Sequence, residues 1–202
     1  MTNCFDKQQE GGWWEDRIAN RCSFPIGPVN TFTNIAYMLA GAYVLWNNKA
    51  WGAAVECVML VLLGIGSGVY HGFKTHFAGV CDDAGMFLVF GAMTVYAYAP
   101  ASEYTPFAMV VGGGSLAVWR FLSEEPAQYL HVLLGVFVGG ATMAGTLHGH
   151  PLQALVGLAL LALGYFGCWQ PDQTRHFPLP RWGHGLWHIL TAAGIAVLFL
   201  SL

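Results

Sequence analysis

Seven apolar stretches follow one another with almost no chain between them, at about residues 31–48, 51–72, 83–100, 105–122, 128–146, 151–169 and 184–202. Each is close to the roughly 20 residues that a helix needs to cross ~30 Å of hydrocarbon, where every backbone polar group must be satisfied within its own segment. The pattern predicts an all-α membrane protein, a seven-transmembrane-helix bundle with short loops. It forms one domain over residues 1–202, with an extramembrane segment at 1–30. Composition points the same way: 55% hydrophobic residues, 9% charged residues and a mean hydropathy of +0.50 leave too little charge to coat a soluble globule. The net charge of −3 argues against a nucleic-acid partner. The first 30 residues carry Asp6, Lys7, Glu10, Glu15, Asp16, Arg17 and Arg21, too many charges for the apolar core of a signal peptide, so they are expected to stay on the mature chain.

Short, Pro- and Asn-punctuated links separate the stretches, as at Asn47-Asn48-Lys49, Glu124-Glu125-Pro126 and His150-Pro151; the longest runs from Gln170 to Gly183. Neighbouring helices must then run antiparallel. An odd number of spans puts the N-terminal tail and the even-numbered links on one face. Gly64, Gly68 and Gly72 in span two, and Gly135 with Gly139 in span five, recur at four-residue spacing, which lets helices approach closely in lipid.

Five polar residues fall at that same face. Ser67 and His71, spaced i and i+4, share one side of the end of span two; Asp82 opens span three; His184 and His188, again i and i+4, open span seven. Three neutral imidazoles leave one tetrahedral position of Zn²⁺ open, the arrangement of a catalytic zinc, and water there becomes a nucleophile near neutral pH. Asp82 is placed to act as general base and Ser67 to stabilise an oxyanion or to orient a ligand. One His-x-x-x-His alone means little, and histidines sit comfortably at membrane interfaces. Convergence of costly ionisable groups at membrane depth is what points to function. Asp83 reads as a solvated neighbour, Glu56 as a group that snorkels or pairs locally, and His76, His131, His148, His150 and His176 as interfacial or loop-borne.

The strings Gly-Ser-Gly-Val-Tyr-His (66–71), Cys-Asp-Asp-Ala-Gly-Met (81–86), His-Gly-Leu-Trp-His (184–188) and Pro-Val-Asn-Thr-Phe-Thr-Asn (28–34) resemble the alkaline ceramidases and the wider CREST superfamily of seven-helix membrane hydrolases. The resemblance covers essentially the whole chain. It implies zinc on His71, His184 and His188, water activation by Asp82, transition-state support from Ser67, and hydrolysis of the amide of a ceramide-like N-acyl lipid. It also implies a calcium loop, but here the chain departs: in Asn20-Arg21-Cys22-Ser23 and at Gly27, the residues Asn20, Ser23 and Gly27 stand where the family places carboxylates, which argues against calcium. The chain is shorter than a eukaryotic ceramidase, pointing to a bacterial relative in the inner (plasma) membrane.

Other features leave alternatives open. Five cysteines without a Cys-x-x-Cys pair argue against a thiolate site, while one disulfide among Cys22, Cys81 and Cys168 is compatible with their shared face. Seven of the eight Lys and Arg residues lie on the N-terminal face, which places it in the cytoplasm; the alkaline ceramidases have the opposite orientation. A lipid-sensing receptor on the same scaffold and a haem- or metal-handling membrane protein are the competing functions. Retinal is excluded, because Lys7, Lys49 and Lys74 all lie outside the middle of a span.

Overall fold

The computed structural model describes residues 27–74, 76–99, 102–122, 127–173 and 182–202, without the side chains of His76, residues 127–132 and Gln173. The expectations placed on residues 1–26, including the N-terminal segment, most of the calcium loop and Cys22, lie outside the described residues, as do those on His131 and His176 and on the side chain of His76.

The described residues are helical, with no strand among them. Two helices, α1 (Pro28–Thr33) and α2 (Ile35–Asn47), are joined at Asn34. They are followed by α3 (Trp51–Phe73), α4 (His76–Tyr98), α5 (Thr105–Leu122) and α6 (Ala127–Leu147). The chain continues through α7 (Pro151–Ala162), which runs into a π-helical stretch over Leu163–Trp169 and the short α8 (Gln170–Gln173), and closes with α9 (Gly183–Phe199). Pro28 and Pro151 start α1 and α7 at positions where a missing N–H costs nothing. Trp51–Phe73, Phe77–Tyr98, Thr105–Leu122 and Pro151–Asp172 are long and apolar enough to cross a membrane; Leu133–Leu147 and Gly183–Phe199 are shorter apolar helices.

The helices close a circuit in which α2, α3, α4, α6, α7 and α9 each pack against the next and α9 returns to α2, while α5 packs on α4 and α3. Inside lie Tyr37, Val44, Leu60, Leu63, Phe87, Met93, Ile195 and Phe199, all buried, whereas Trp46, Trp51, Phe107 and Leu152 project outward. Apolar faces on both sides of each helix are what a lipid surround requires.

The glycine expectation holds for span two and fails for span five. A Cβ at Gly64 would sit 3.0 Å from the Asn34 carbonyl oxygen, so α3 and the α1–α2 junction touch through bare backbone. At Gly135 and Gly139 nothing lies within 4 Å. Among the described glycines the closest approach to a neighbouring backbone is between α4 and α5, where a Cβ at Gly113 would fall 2.6 Å from the carbonyl oxygen of Leu88. A second correction concerns α4, which begins at His76 rather than near residue 83. Its first turn, His-Phe-Ala-Gly, is apolar enough to extend the helix across a link that the hydropathy pattern leaves open, so Asp82 lies in the second turn.

Candidate metal centre

His71 ends the buried stripe of α3, which runs Glu56, Leu60, Leu63, Ser67, His71 at steps of three or four residues. The helix stops three residues later at Lys74, whose φ of 55° is left-handed and unusual for a side chain other than Gly, Asn or Asp. His184 and His188 lie on the first turns of α9. α9 packs against α1, α2, α7 and the π-helical stretch, and this brings residues more than a hundred positions apart together.

The three imidazoles meet. Their ring centroids are 4.6 Å (His71–His184), 5.0 Å (His71–His188) and 4.8 Å (His184–His188) apart. One ligand nitrogen from each lies within 4.8 Å of the others. All three Nε2 atoms are buried and have no hydrogen-bond partner among the described residues. Buried ring nitrogens are ordinarily satisfied; three orphaned ring nitrogens gathered in one cluster are what a metal ion satisfies. Tetrahedral Zn–N bonds of ~2.0–2.1 Å imply nitrogens about 3.4 Å apart, so slight closure of the rings completes the site. The residues therefore fit a metal ion held by His71, His184 and His188.

The opposite ring nitrogens are held from outside. Thr33 Oγ1 lies 3.0 Å from His188 Nδ1, and Lys74 Nζ lies 3.0 Å from His71 Nδ1 while also sitting 4.1 Å above the Tyr70 ring. Trp187 packs edge-on against His184 at 5.0 Å. Asp82 reaches the site from α4, with Oδ2 3.9 Å from His71 Nε2, and buried Ser67, one helical turn before His71, is its electrostatic neighbour. All five residues singled out in the sequence thus gather in one cluster.

Two neighbours behave differently from the sequence expectation. Asp83 is buried, not solvated: Arg120 of α5 donates to its Oδ2 from Nη2 at 2.7 Å and from Nε at 3.0 Å. An arginine in the last turn of α5 supplies the partner, which hydropathy counting has no means of finding. Glu56 neither snorkels nor pairs; it is fully buried and both carboxyl oxygens lack a partner among the described residues. Its neighbours on the stripe carry it inward. Sequence reading also missed Lys74 and Thr33; the left-handed cap at Lys74 has no pattern of its own, whereas Thr33 lies inside the conspicuous Asn-Thr-Phe-Thr-Asn string (30–34). Cys57, Cys81 and Cys168 are free, so no disulfide joins Cys81 to Cys168. His148 and His150 are exposed at the α6–α7 connection, as expected.

No protein-family model matches this chain, and no curated protein matches it either. The site must be interpreted from its own chemistry.

Proposed function

We propose that the chain is a zinc-dependent lipid amidase of the alkaline ceramidase kind, a seven-span bundle in a bacterial inner membrane that hydrolyses the amide bond of a ceramide-like N-acyl lipid. The observation that carries this reading is the convergence of three orphaned Nε2 atoms with a carboxylate 3.9 Å from one of them. A structural zinc takes four protein ligands, whereas three imidazoles beside a free carboxylate suit hydrolysis. When bound, the ion supplies Lewis acidity, polarising water and the scissile carbonyl.

The chain's own residues do the rest. Asp82 takes the proton of the attacking water, and the same carboxyl returns it to the amine nitrogen as the C–N bond breaks, giving a fatty acid and a free amine. Ser67, beside Asp82, lies one helical turn before His71 and supports a developing oxyanion. Thr33 holds the ring of His188. A site among apolar helices is entered from the bilayer, which favours an acylated substrate over a water-soluble one.

Elemental analysis of the purified protein together with hydrolysis of N-acyl lipids of graded chain length tests the reading. The expected result is one zinc per chain, lost in His71→Ala, His184→Ala or His188→Ala, and release of fatty acid that increases with acyl length. Stoichiometric metal without turnover of any N-acyl lipid would instead favour a lipid sensor on this scaffold; no stoichiometric transition metal would overturn the proposal.

A further inference from the structure

The buried ion pair between Asp83 and Arg120 is unused by the chemistry above, although it is adjacent in sequence to the general base. Asp83 and Arg120 are each about nine-tenths buried, and two guanidinium nitrogens, Nε and Nη2, converge on the single oxygen Oδ2. Buried ion pairs are weak as stabilising devices, since apolar replacements of similar volume serve as well or better. Such a pair is better explained by what it orients.

We infer that Arg120 is a positioning residue: by gripping Asp83 it fixes the rotation of α4 that turns Asp82 toward His71. The geometry makes the link direct. Successive residues on a helix point about 100° apart, so Asp83 faces α5 while Asp82 faces the imidazoles 3.9 Å away. Cα atoms lie ~2.3 Å from the helix axis and a carboxyl about 6 Å, so a 20° roll of α4 moves the Asp82 oxygens by about 2 Å. That exceeds the ~1 Å displacement that costs about 10²-fold in rate. The α4–α5 contact at Gly113 and Leu88 is tight enough to transmit the grip along the helix. Arg120 also balances the charge of Asp83, leaving Asp82 as the carboxylate of this pair that faces the cluster.

The kinetic arm rests on the hydrolase reading, and the spectroscopic arm on the imidazole cluster alone. Full-length protein is loaded with Co²⁺, whose visible absorption responds to the charge beside its ligands, and Asp82→Asn supplies the reference spectrum for a displaced base. In the double variant Asp83→Leu with Arg120→Met, where neither member of the pair is left to face the other's absence, the cobalt spectrum is expected to move toward that of Asp82→Asn. kcat for a long-chain N-acyl lipid should fall about 10²-fold, with KM changed less than about threefold. Arg120→Lys, which keeps the charge but not the two-nitrogen grip, should fall between, and it decides the question by the same spectrum if the double variant does not fold. A wild-type spectrum in these variants overturns the proposal, as does an Asp82→Asn spectrum identical to wild type. Wild-type protein that binds cobalt but cleaves no N-acyl lipid would sink the hydrolase reading while leaving the spectral comparison to decide Arg120.

Discussion

The hydroxyl oxygen of Thr33 stands 3.0 Å from Nδ1 of His188, a contact across 155 positions of sequence. Its direction can be deduced. Thr33 has one hydroxyl proton, which it donates to the Val29 carbonyl oxygen at 2.8 Å. It therefore accepts from His188 Nδ1–H, and the lone pair of His188 is fixed on Nε2, facing the other two imidazoles. Partners that hold a ligand histidine in this way are worth 10- to 100-fold in metal affinity. Thr33→Val, close in shape but without the acceptor, should lose about that much in a chelator competition titration, and Thr33→Ser should retain most of it. Equal affinities in all three proteins would mean that His188 is oriented by packing alone.

Lys74 makes the opposite kind of contact. An ammonium can only donate, so at 3.0 Å it directs its N–H at His71 Nδ1. Ligation through Nε2 makes Nδ1 the protonated nitrogen, so His71 no longer accepts from Lys74. Metal binding is expected to swing Lys74 off His71. Lys74→Met, which keeps the stem over Tyr70 and drops the charge, should therefore bind zinc more tightly than wild type, by up to about tenfold for one hydrogen bond of ~1.4 kcal/mol. The same titration decides it, and weaker binding would show that Lys74 supports the loaded site.

Asp82 and Asp83 should separate cleanly under substitution. Asp82→Asn is expected to keep one metal per chain and lose ~10² to 10⁴ in turnover, as removal of a general base does. Asp83→Asn leaves the Arg120 guanidinium buried without its carboxylate, and breaking a buried pair in this way costs about 3–5 kcal/mol. Thermal unfolding in detergent should therefore single out Asp83→Asn as the unstable variant and leave Asp82→Asn near wild type. Reversed effects would mean that the register of α4 is wrong by one residue.

The contrast between these two aspartates shows what the sequence can carry. His71, His184, His188, Ser67 and Asp82 were legible because helical spacing and alternating span direction put them at one end of the bundle, and both rules are local. The Asp83–Arg120 pair depends on which helix packs beside α4 and at what rotation, and that is set by bare-backbone contacts such as Gly113 on Leu88. Hydropathy also blurs helix ends: α4 starts at His76 because its first turn is helix-compatible without being strongly apolar. The same limit explains Glu56, whose inward direction follows from the buried stripe of α3 and not from its charge.

Glu56 offers a test of that stripe. With both oxygens buried and lacking a partner among the described residues, its carboxyl is desolvated without return, a burden of about 1–3 kcal/mol. Glu56→Met, similar in volume and apolar, should raise the unfolding temperature while metal content and turnover stay unchanged, since Glu56 lies fifteen residues along α3 from His71. Loss of turnover with the fold intact would reveal a role for this carboxyl that the metal centre does not explain.

Gly164 and Gly139 are both glycines within apolar helical stretches, yet their surroundings differ. A Cβ at Gly164 would lie 3.2 Å from Trp187 Cδ1, 3.3 Å from Leu190 Cβ and 3.4 Å from Thr191 Oγ1, on the face of α9 that carries His184 and His188; at Gly139 nothing lies within 4 Å. Gly164 lies in the π-helical stretch that packs on α9, and π segments recur at functional sites. Gly164→Leu must push α9 aside, with an overpacking cost of about 1–3 kcal/mol, and it moves two of the three ligand histidines. We expect weaker zinc binding together with a lower unfolding temperature in Gly164→Leu, and neither change in Gly139→Leu. Zinc stoichiometry and thermal unfolding measured on the two variants side by side check this, and a Gly164→Leu protein that binds zinc as tightly as wild type would show that α9 holds its ligands independently of the π-helical stretch.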